Sequence, residues 1–191
     1  MDTNVSPGEK IIEVATRWLN LHEVAANAVW DDLGTQGPDR RAEELKDAMR
    51  ASGWQEGWSY CAALVEAVWR TAYVELGAPA GLITEIGRRL TPSVMASLRN
   101  WDGHTSLWPE PGAIFFMQKG RSWQGHAGIV VQHVVDRIST IEGNTSPEPQ
   151  SAEADREGDG VFKRVRPVSF APRTGLWMRA FLNPLPLDMV L

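Results

Sequence analysis

The chain has 191 residues, 43% of them hydrophobic, enough for one domain whose core needs no covalent staples. Its single cysteine excludes an internal disulfide framework and leaves no thiol partner for a structural zinc site. A net charge of −5 and a pI near 5.4 argue against a nucleic-acid or anionic-membrane footprint, and no apolar run approaches the roughly 20 residues of a spanning helix.

Met1 to Gly8 lacks the basic and apolar regions of a secretory signal. The expectation is synthesis in the cytoplasm and export, where it occurs, by another system. Ser6-Pro7-Gly8-Glu9 reads as a helix start. Ile11, Val14, Ala15, Trp18, Leu19, His22 and Ala25 or Ala26 then keep helical spacing to about Asn27, with His22 a core or boundary histidine. Trp30-Asp31-Asp32-Leu33-Gly34 begins a break that runs through Gln36-Gly37-Pro38. A polar helix is expected from Asp39 to about Ala51, anchored by Leu45 and Met49. After the turn or cap residues Gly57 and Ser59, the recurrence of Ala62, Leu64, Val65, Val68, Trp69 and Ala72 predicts a helix buried on most of its surface. Cys61 falls in its first turn, where free backbone N–H groups and the helix dipole favour an anion. Gly77 to Gly81 breaks the pattern, and two short helices follow near 82–90 and 92–100, so that residues 8–100 read as helical.

The texture then changes. Pro109-Glu110-Pro111-Gly112 is a turn, and Ala113 to Met117 reads as a buried strand. His126 to Val135 is rich in β-branched residues, and Asp136-Arg137 is expected to turn it into a second strand over 138–144. Residues 145–159, polar and carrying two prolines, read as a mobile surface loop. Val161 to Arg166 alternates like a half-buried strand, and 177–182 supplies the last one. Helices first and an antiparallel sheet over 111–182 make an α+β fold, one domain over 1–191 with no repeat or linker.

A nucleophilic thiol needs a base in hydrogen-bond reach, and the base needs a third group to hold its tautomer. Gly125-His126-Ala127-Gly128 sets an imidazole at a strand start between glycines that permit close backbone approach and leave its edge open. Glu142 and Asn144, two apart on the next strand, are expected on one sheet face. With position 142 opposite about 131, either of them is a candidate acceptor for the Nδ1 proton of His126. The alternative readings are a structural histidine, a Gly-Asn turn and a cysteine that is only a small buried hydrophobe.

Four segments together resemble the CHAP family: Tyr60-Cys61-Ala62-Ala63-Leu64-Val65, Pro111 to Phe116, Gly125 to Val131, and Ile141-Glu142-Gly143-Asn144-Thr145. These cysteine, histidine-dependent amidohydrolases and peptidases of cell-wall turnover and phage lysis are related to the NlpC-type peptidases. The resemblance spans about 57 to 166 and includes the strand after Gly158. It implies a papain-like fold, with the nucleophile helix packed on the C-terminal sheet. Cys61 is then the nucleophile, His126 the base and acid, and Glu142 and Asn144 the orienting pair. Gln55 is the implied partner of the Cys61 N–H in an oxyanion hole. Trp58 and Tyr60 are candidate groove walls, and Trp101, His104 and Trp108 candidate cleft residues, with core packing as the other reading for each. No cofactor or required metal is implied.

The expected function is therefore a peptidoglycan hydrolase, either an N-acetylmuramoyl-alanine amidase or a peptide endopeptidase, in a phage lysin or an antibacterial effector. Its partners are the bacterial wall and, for an effector, a cognate inhibitor or delivery partner, with no nucleic acid and no membrane insertion. It is expected to act in the periplasm or on the wall. The competing classes are a silent scaffold on the same fold and a cytosolic thiol amidohydrolase with a small substrate.

Overall fold

A computed structural model describes residues 5–24, 29–32, 40–146, 158 and 160–189. Its helices are α1 (Pro7–Arg17), α2 (Arg40–Arg50), α3 (Cys61–Glu75), α4 (Ala80–Arg89) and α5 (Val94–Asn100). Its strands are β1 (Leu21–Val24), β2 (Val29–Asp32), β3 (Ile114–Lys119), β4 (Gly125–Val134), β5 (Arg137–Thr145), β6 (Gly160–Pro167) and β7 (Leu176–Leu182). All strand pairs are antiparallel, in the order β2-β1-β6-β5-β4-β3-β7. The fold is α+β of the papain-like kind.

Local chemistry explains the start of α1. The Ser6 hydroxyl accepts from the Glu9 N–H at 3.2 Å while the Glu9 carboxylate accepts from the Ser6 N–H at 2.8 Å, a reciprocal cap. The helix stops at Arg17, ten residues short of the predicted end. Asn20 turns the chain with φ 65°, and its N–H donates to Val161 O at 2.8 Å. Leu21–Val24 then joins the sheet through His22 opposite Gly160. The chain after Trp18 thus serves β1, the strand between β2 and β6, and β1 and β2 interrupt the region expected to be all helix. Trp30 to Asp32, read as a break, belongs to β2. The expected helix end at Asn27, the rest of that break, Asp39 at the expected start of the polar helix, and residues 147–157 and 159 of the expected loop lie outside the described residues.

α3 carries the core. Every residue from Cys61 to Trp69 is buried, and each large apolar side chain among them contributes about 1.5–3 kcal/mol by leaving water. Leu64, Val68 and Trp69 share one apolar cluster with Ile114, Phe116, Ala127, Ile129 and Ile141 from the sheet and Ile11 and Val14 from α1. Two polar ties anchor the helix: Trp69 Nε1 donates to Gly112 O at 3.2 Å, and Tyr73 Oη donates to Leu185 O at 2.8 Å. Phe115, Met117, Val130, Ile138, Met178 and Phe181 form a second, smaller cluster.

The β4–β5 hairpin differs from expectation in register. Val134 faces Arg137, so the turn is Val135-Asp136, with Val135 at φ 54°. A bulge between Val130 and Gln132 shifts the pairing again. Glu142 consequently faces Gly128 and not the neighbourhood of 131. That shift decides which polar side chain meets the histidine.

Candidate active site

Cys61 is the first residue of α3, and the helical ladder begins with Leu64 N–H to Tyr60 O at 2.8 Å. The N–H groups of Cys61, Ala62 and Ala63 precede that ladder. Cys61 is buried, with 6% exposure, and His126 has none. The glycines beside His126 therefore do not leave its ring open to solvent, as the sequence led us to expect. β5, Phe115 and α3 roof it, and the His126 and Phe115 ring centroids are 5.9 Å apart.

Two glycines let the elements close on one another. A Cβ at Gly128 would stand 2.7 Å from Glu142 Cγ and 2.7 Å from Phe115 Cε1, so a side chain there would block the path of Glu142 towards the ring. A Cβ at Gly143 would stand 2.6 Å from Leu64 Cδ2 and 2.9 Å from Tyr60 Cε2. Gly143 is thus what allows β5 to lie against the start of α3, next to the cysteine.

Glu142 is fully buried and hydrogen-bonds His126 Nε2 through Oε2 at 2.8 Å. His126 Nδ1 is buried without a hydrogen bond, and Cys61 is the other group that acts on this ring. The tautomer expectation is corrected accordingly: the carboxylate takes Nε2 and leaves Nδ1 for the thiol. Thr140 Oγ1 donates to Glu142 Oε1 at 2.5 Å. Arg166, 5% exposed, closes the network from β6, with Nε to Oε1 at 2.9 Å and Nη2 to Oε2. Two-point contact of this kind is the strong form of a carboxylate–guanidinium pair.

The charges follow from these contacts. Burial pushes Glu142 up, but the Arg166 guanidinium, and then His126, hold it well below the usual carboxylate range. Burial pushes His126 down, yet the neighbouring Cys61 and the Glu142 carboxylate outweigh this and hold the imidazole at about 9. At neutral pH the site therefore contains an imidazolium between a carboxylate and the thiol group.

Asn144 does not share the geometry of Glu142. It takes φ 56°, and the β5–β6 register shifts between Glu142 and Thr145, so strand alternation fails at this point. The residue is buried, and its carbonyl accepts from Gly158 N–H at 3.1 Å. The side chain that hydrogen-bonds the imidazole is Glu142.

Beside Cys61 lies a cleft of about 320 Å³, lined by Trp58, Ser59, Pro92, Ser93, Val94, Trp123, Gln124 and Gly125. Trp58 is where a groove wall was expected. The other aromatic candidates are elsewhere. Tyr60 is fully buried under Gly143. Trp101 is a core residue, edge-on to His104 and beneath the Arg89 guanidinium. Trp108 is exposed but packs on His133, seven positions along β4 from His126 and so roughly 20 Å away. Gln55 is exposed on the turn before Trp58, outside the cleft lining. Sequence reasoning missed Trp123, which is 80% exposed, and Arg166. For Trp123 the available signal was an aromatic inside a polar turn, three residues before the histidine. For Arg166 there was none, because the strand pattern favours burial of Val165, which is 58% exposed.

A thiol at a helix start, an imidazole on the adjoining sheet and a carboxylate behind that imidazole are the parts of a papain-like hydrolase. The chain carries a CHAP domain, whose family model matches residues 51–144. CHAP domains are hydrolases, of amidase or peptidase type, that act on peptidoglycan. Neither the curated proteins nor the solved structures give a match to this chain.

Proposed function

We propose that this protein hydrolyses an amide bond of peptidoglycan through an acyl-enzyme on Cys61. The observation that carries the reading is the His126 ring, bonded at Nε2 by Glu142 and left with Nδ1 for the thiol. In the first half-reaction the Cys61 thiolate, paired with the His126 imidazolium, attacks the amide carbonyl carbon, a C–S bond forms, and the negative charge passes to the oxygen beside the Cys61 N–H. His126 then gives its proton to the leaving nitrogen as the C–N bond breaks. Water, losing a proton to the now neutral imidazole, attacks the thioester; the C–S bond breaks, the Cys61 thiolate and the His126 imidazolium are restored, and the carboxylic acid released gives its proton to solvent. Glu142 keeps the ring oriented and its charge compensated throughout, while Arg166 and Thr140 hold Glu142.

The net charge of −5 supports a delivered enzyme over a free lysin that must cling unaided to an anionic wall. In that reading it reaches the periplasm as an antibacterial effector, with a cognate inhibitor as its partner. The test is digestion of purified sacculi, read by loss of turbidity and by zymography, for wild type and Cys61→Ala. Clearing that disappears in Cys61→Ala is the expected result, with a rate that falls as pH rises through about 9, where His126 loses its proton. A wild type that clears no sacculi, or equal clearing by both proteins, overturns the reading.

A further inference from the structure

We infer that the cleft beside Cys61 seats an uncharged N-acetylated pyranose ring of the glycan strand, so that the bond opened is the amide between a muramoyl lactyl carbonyl and L-alanine. This rests on the peptidoglycan-hydrolase reading and chooses between the amidase and endopeptidase forms of it.

Three segments build the cleft: the turn before α3, the α4–α5 connection and the β3–β4 turn. Two of them bring an indole to solvent, with Trp58 49% and Trp123 80% exposed. Indole faces left in water are costly unless something covers them, and both border the same thiol.

The β3–β4 turn is built to hold its indole. Gln118 Nε2 donates to Ser122 O at 2.7 Å, and Ser122 Oγ donates to Lys119 O at 2.7 Å. Lys119 N–H donates to Gln124 O at 3.0 Å, and Gln124 N–H to Ser122 Oγ at 3.2 Å. On the other wall, Trp54 Nε1 donates to Trp58 O at 2.9 Å. These bonds order the walls before anything binds, which lowers the entropy lost on binding.

Charge then selects the occupant. Among the described residues lining the cleft, no side chain other than the thiol is ionisable. The stem peptide beyond L-alanine carries carboxylates and an amine, at D-glutamate and at diaminopimelate or lysine. A carboxylate seated here would lose water and find no cation among the lining side chains. A pyranose presents a C–H face that suits an indole, and its acetamido group carries no charge. Pro92 and Val94 offer apolar contact to the acetyl methyl, and Gln124 an amide to its polar atoms. The volume, near the lower end of the roughly 300–1,000 Å³ usual for ligand pockets, suits one ring and not a disaccharide-peptide. With the ring on the indoles, the next carbonyl along the lactyl arm is the one that reaches Cys61. Hydrolysis there leaves a lactyl carboxylate on the glycan and a free amino group on L-alanine.

The experiment labels new amino groups in wild-type digests of sacculi and identifies them by mass spectrometry. It also measures binding of N-acetylglucosamine oligomers to full-length Cys61→Ala by calorimetry. The expected label is on L-alanine. Trp123→Ala, with an unchanged melting temperature, should lower kcat/KM roughly tenfold, the factor that about 1.4 kcal/mol of lost stacking gives. In the Cys61→Ala background it should weaken oligomer binding by a similar factor, and Trp123→Phe should restore most of both. New amines on diaminopimelate, lysine or glycine, with digestion intact, overturn the inference and leave the hydrolase reading standing. A Trp123→Ala protein with wild-type rate and binding overturns it too. If no sacculi are digested, the hydrolase reading fails; oligomer binding that depends on Trp123 then still supports the sugar subsite, and its absence ends both.

Discussion

Removing the guanidinium of Arg166 tests the charge network at its least visible point. Arg166→Met keeps an unbranched apolar stem in the same space and takes away the two-point contact with Glu142. Glu142 has no exposed surface, so water cannot replace what is lost. It retains Thr140 at 2.5 Å and His126 at 2.8 Å. Breaking a buried ion pair by removing one partner costs about 3–5 kcal/mol, mostly the penalty of the charge left behind. His126, positively charged beside it, offsets part of that, so we expect a loss near the lower end, about 3 kcal/mol. Urea denaturation at pH 7 measures it. The double variant Glu142→Gln with Arg166→Met removes both charges and should lose far less than the sum of the two single losses. Catalysis gives a second readout. Without Arg166 the Glu142 carboxyl rises towards the ordinary range, so the acid limb of the kcat/KM profile should move to higher pH. A single variant within about 1 kcal/mol of wild type, or strictly additive double-variant losses, would refute the argument that Arg166 sustains the buried carboxylate.

Glu66 and Gly143 carry two further predictions. Glu66 on α3 is 1% exposed, with Arg70 3.6 Å away and one oxygen without a hydrogen bond, and burial lifts its carboxyl from 4.5 to about 7. The folded state thus holds this proton more tightly than the unfolded one, so the stability it supports is complete below about pH 4.5 and is lost as pH rises through about 7. That shift corresponds to roughly 3 kcal/mol, so Glu66→Gln should be more stable than wild type by up to that amount at pH 8 and nearly equal to it at pH 4.5. The same difference at both values would contradict the assignment. Gly143→Ala drives a methyl into Leu64 and Tyr60, with contacts of 2.6 and 2.9 Å before any movement. Overpacking of this kind costs about 1–3 kcal/mol. Because it pushes β5 away from the start of α3, activity on sacculi should fall at temperatures where circular dichroism still reports a folded protein. Unaltered activity would mean that the approach of these two elements does not position the site.

Much of the architecture was legible because local chemistry and tertiary packing agree there. The capping box of Ser6 and Glu9 starts α1 where the sequence places it, and the apolar run after Cys61 makes a helix buried along its first nine residues. The β-branched run from Ile129 makes β4, an interior strand of the sheet. Where the reading failed, a partner distant in sequence outweighed a local preference. The spacing after Trp18 suits a helix, but Asn20 and Leu21–Val24 are taken by the edge of β6, whose residues come about 140 positions later. Alternation in β6 favours burying Val165, yet Arg166 is the buried residue, because the enclosed Glu142 carboxylate requires a cation.

For the site, the residue types and their order along the chain were enough to single out Cys61, His126 and Glu142 as candidates. A thiol, an imidazole and an acid in those local contexts have few other uses in combination. Which of Glu142 and Asn144 meets the imidazole, and at which nitrogen, depended on a bulge and a turn shifted by one residue, and side chains change faces with every such step. Which tryptophans border the thiol was likewise a matter of tertiary structure. Trp101 and Trp123 are equally apolar as letters, but one lies under the Arg89 guanidinium in the core and the other stands on a hydrogen-bonded turn beside Cys61. The residues along the chain supply the thiol, the imidazole and the acid; the packing of β5 against α3 sets where they meet and what can reach them, because distances between elements depend on long-range contacts that no local pattern encodes.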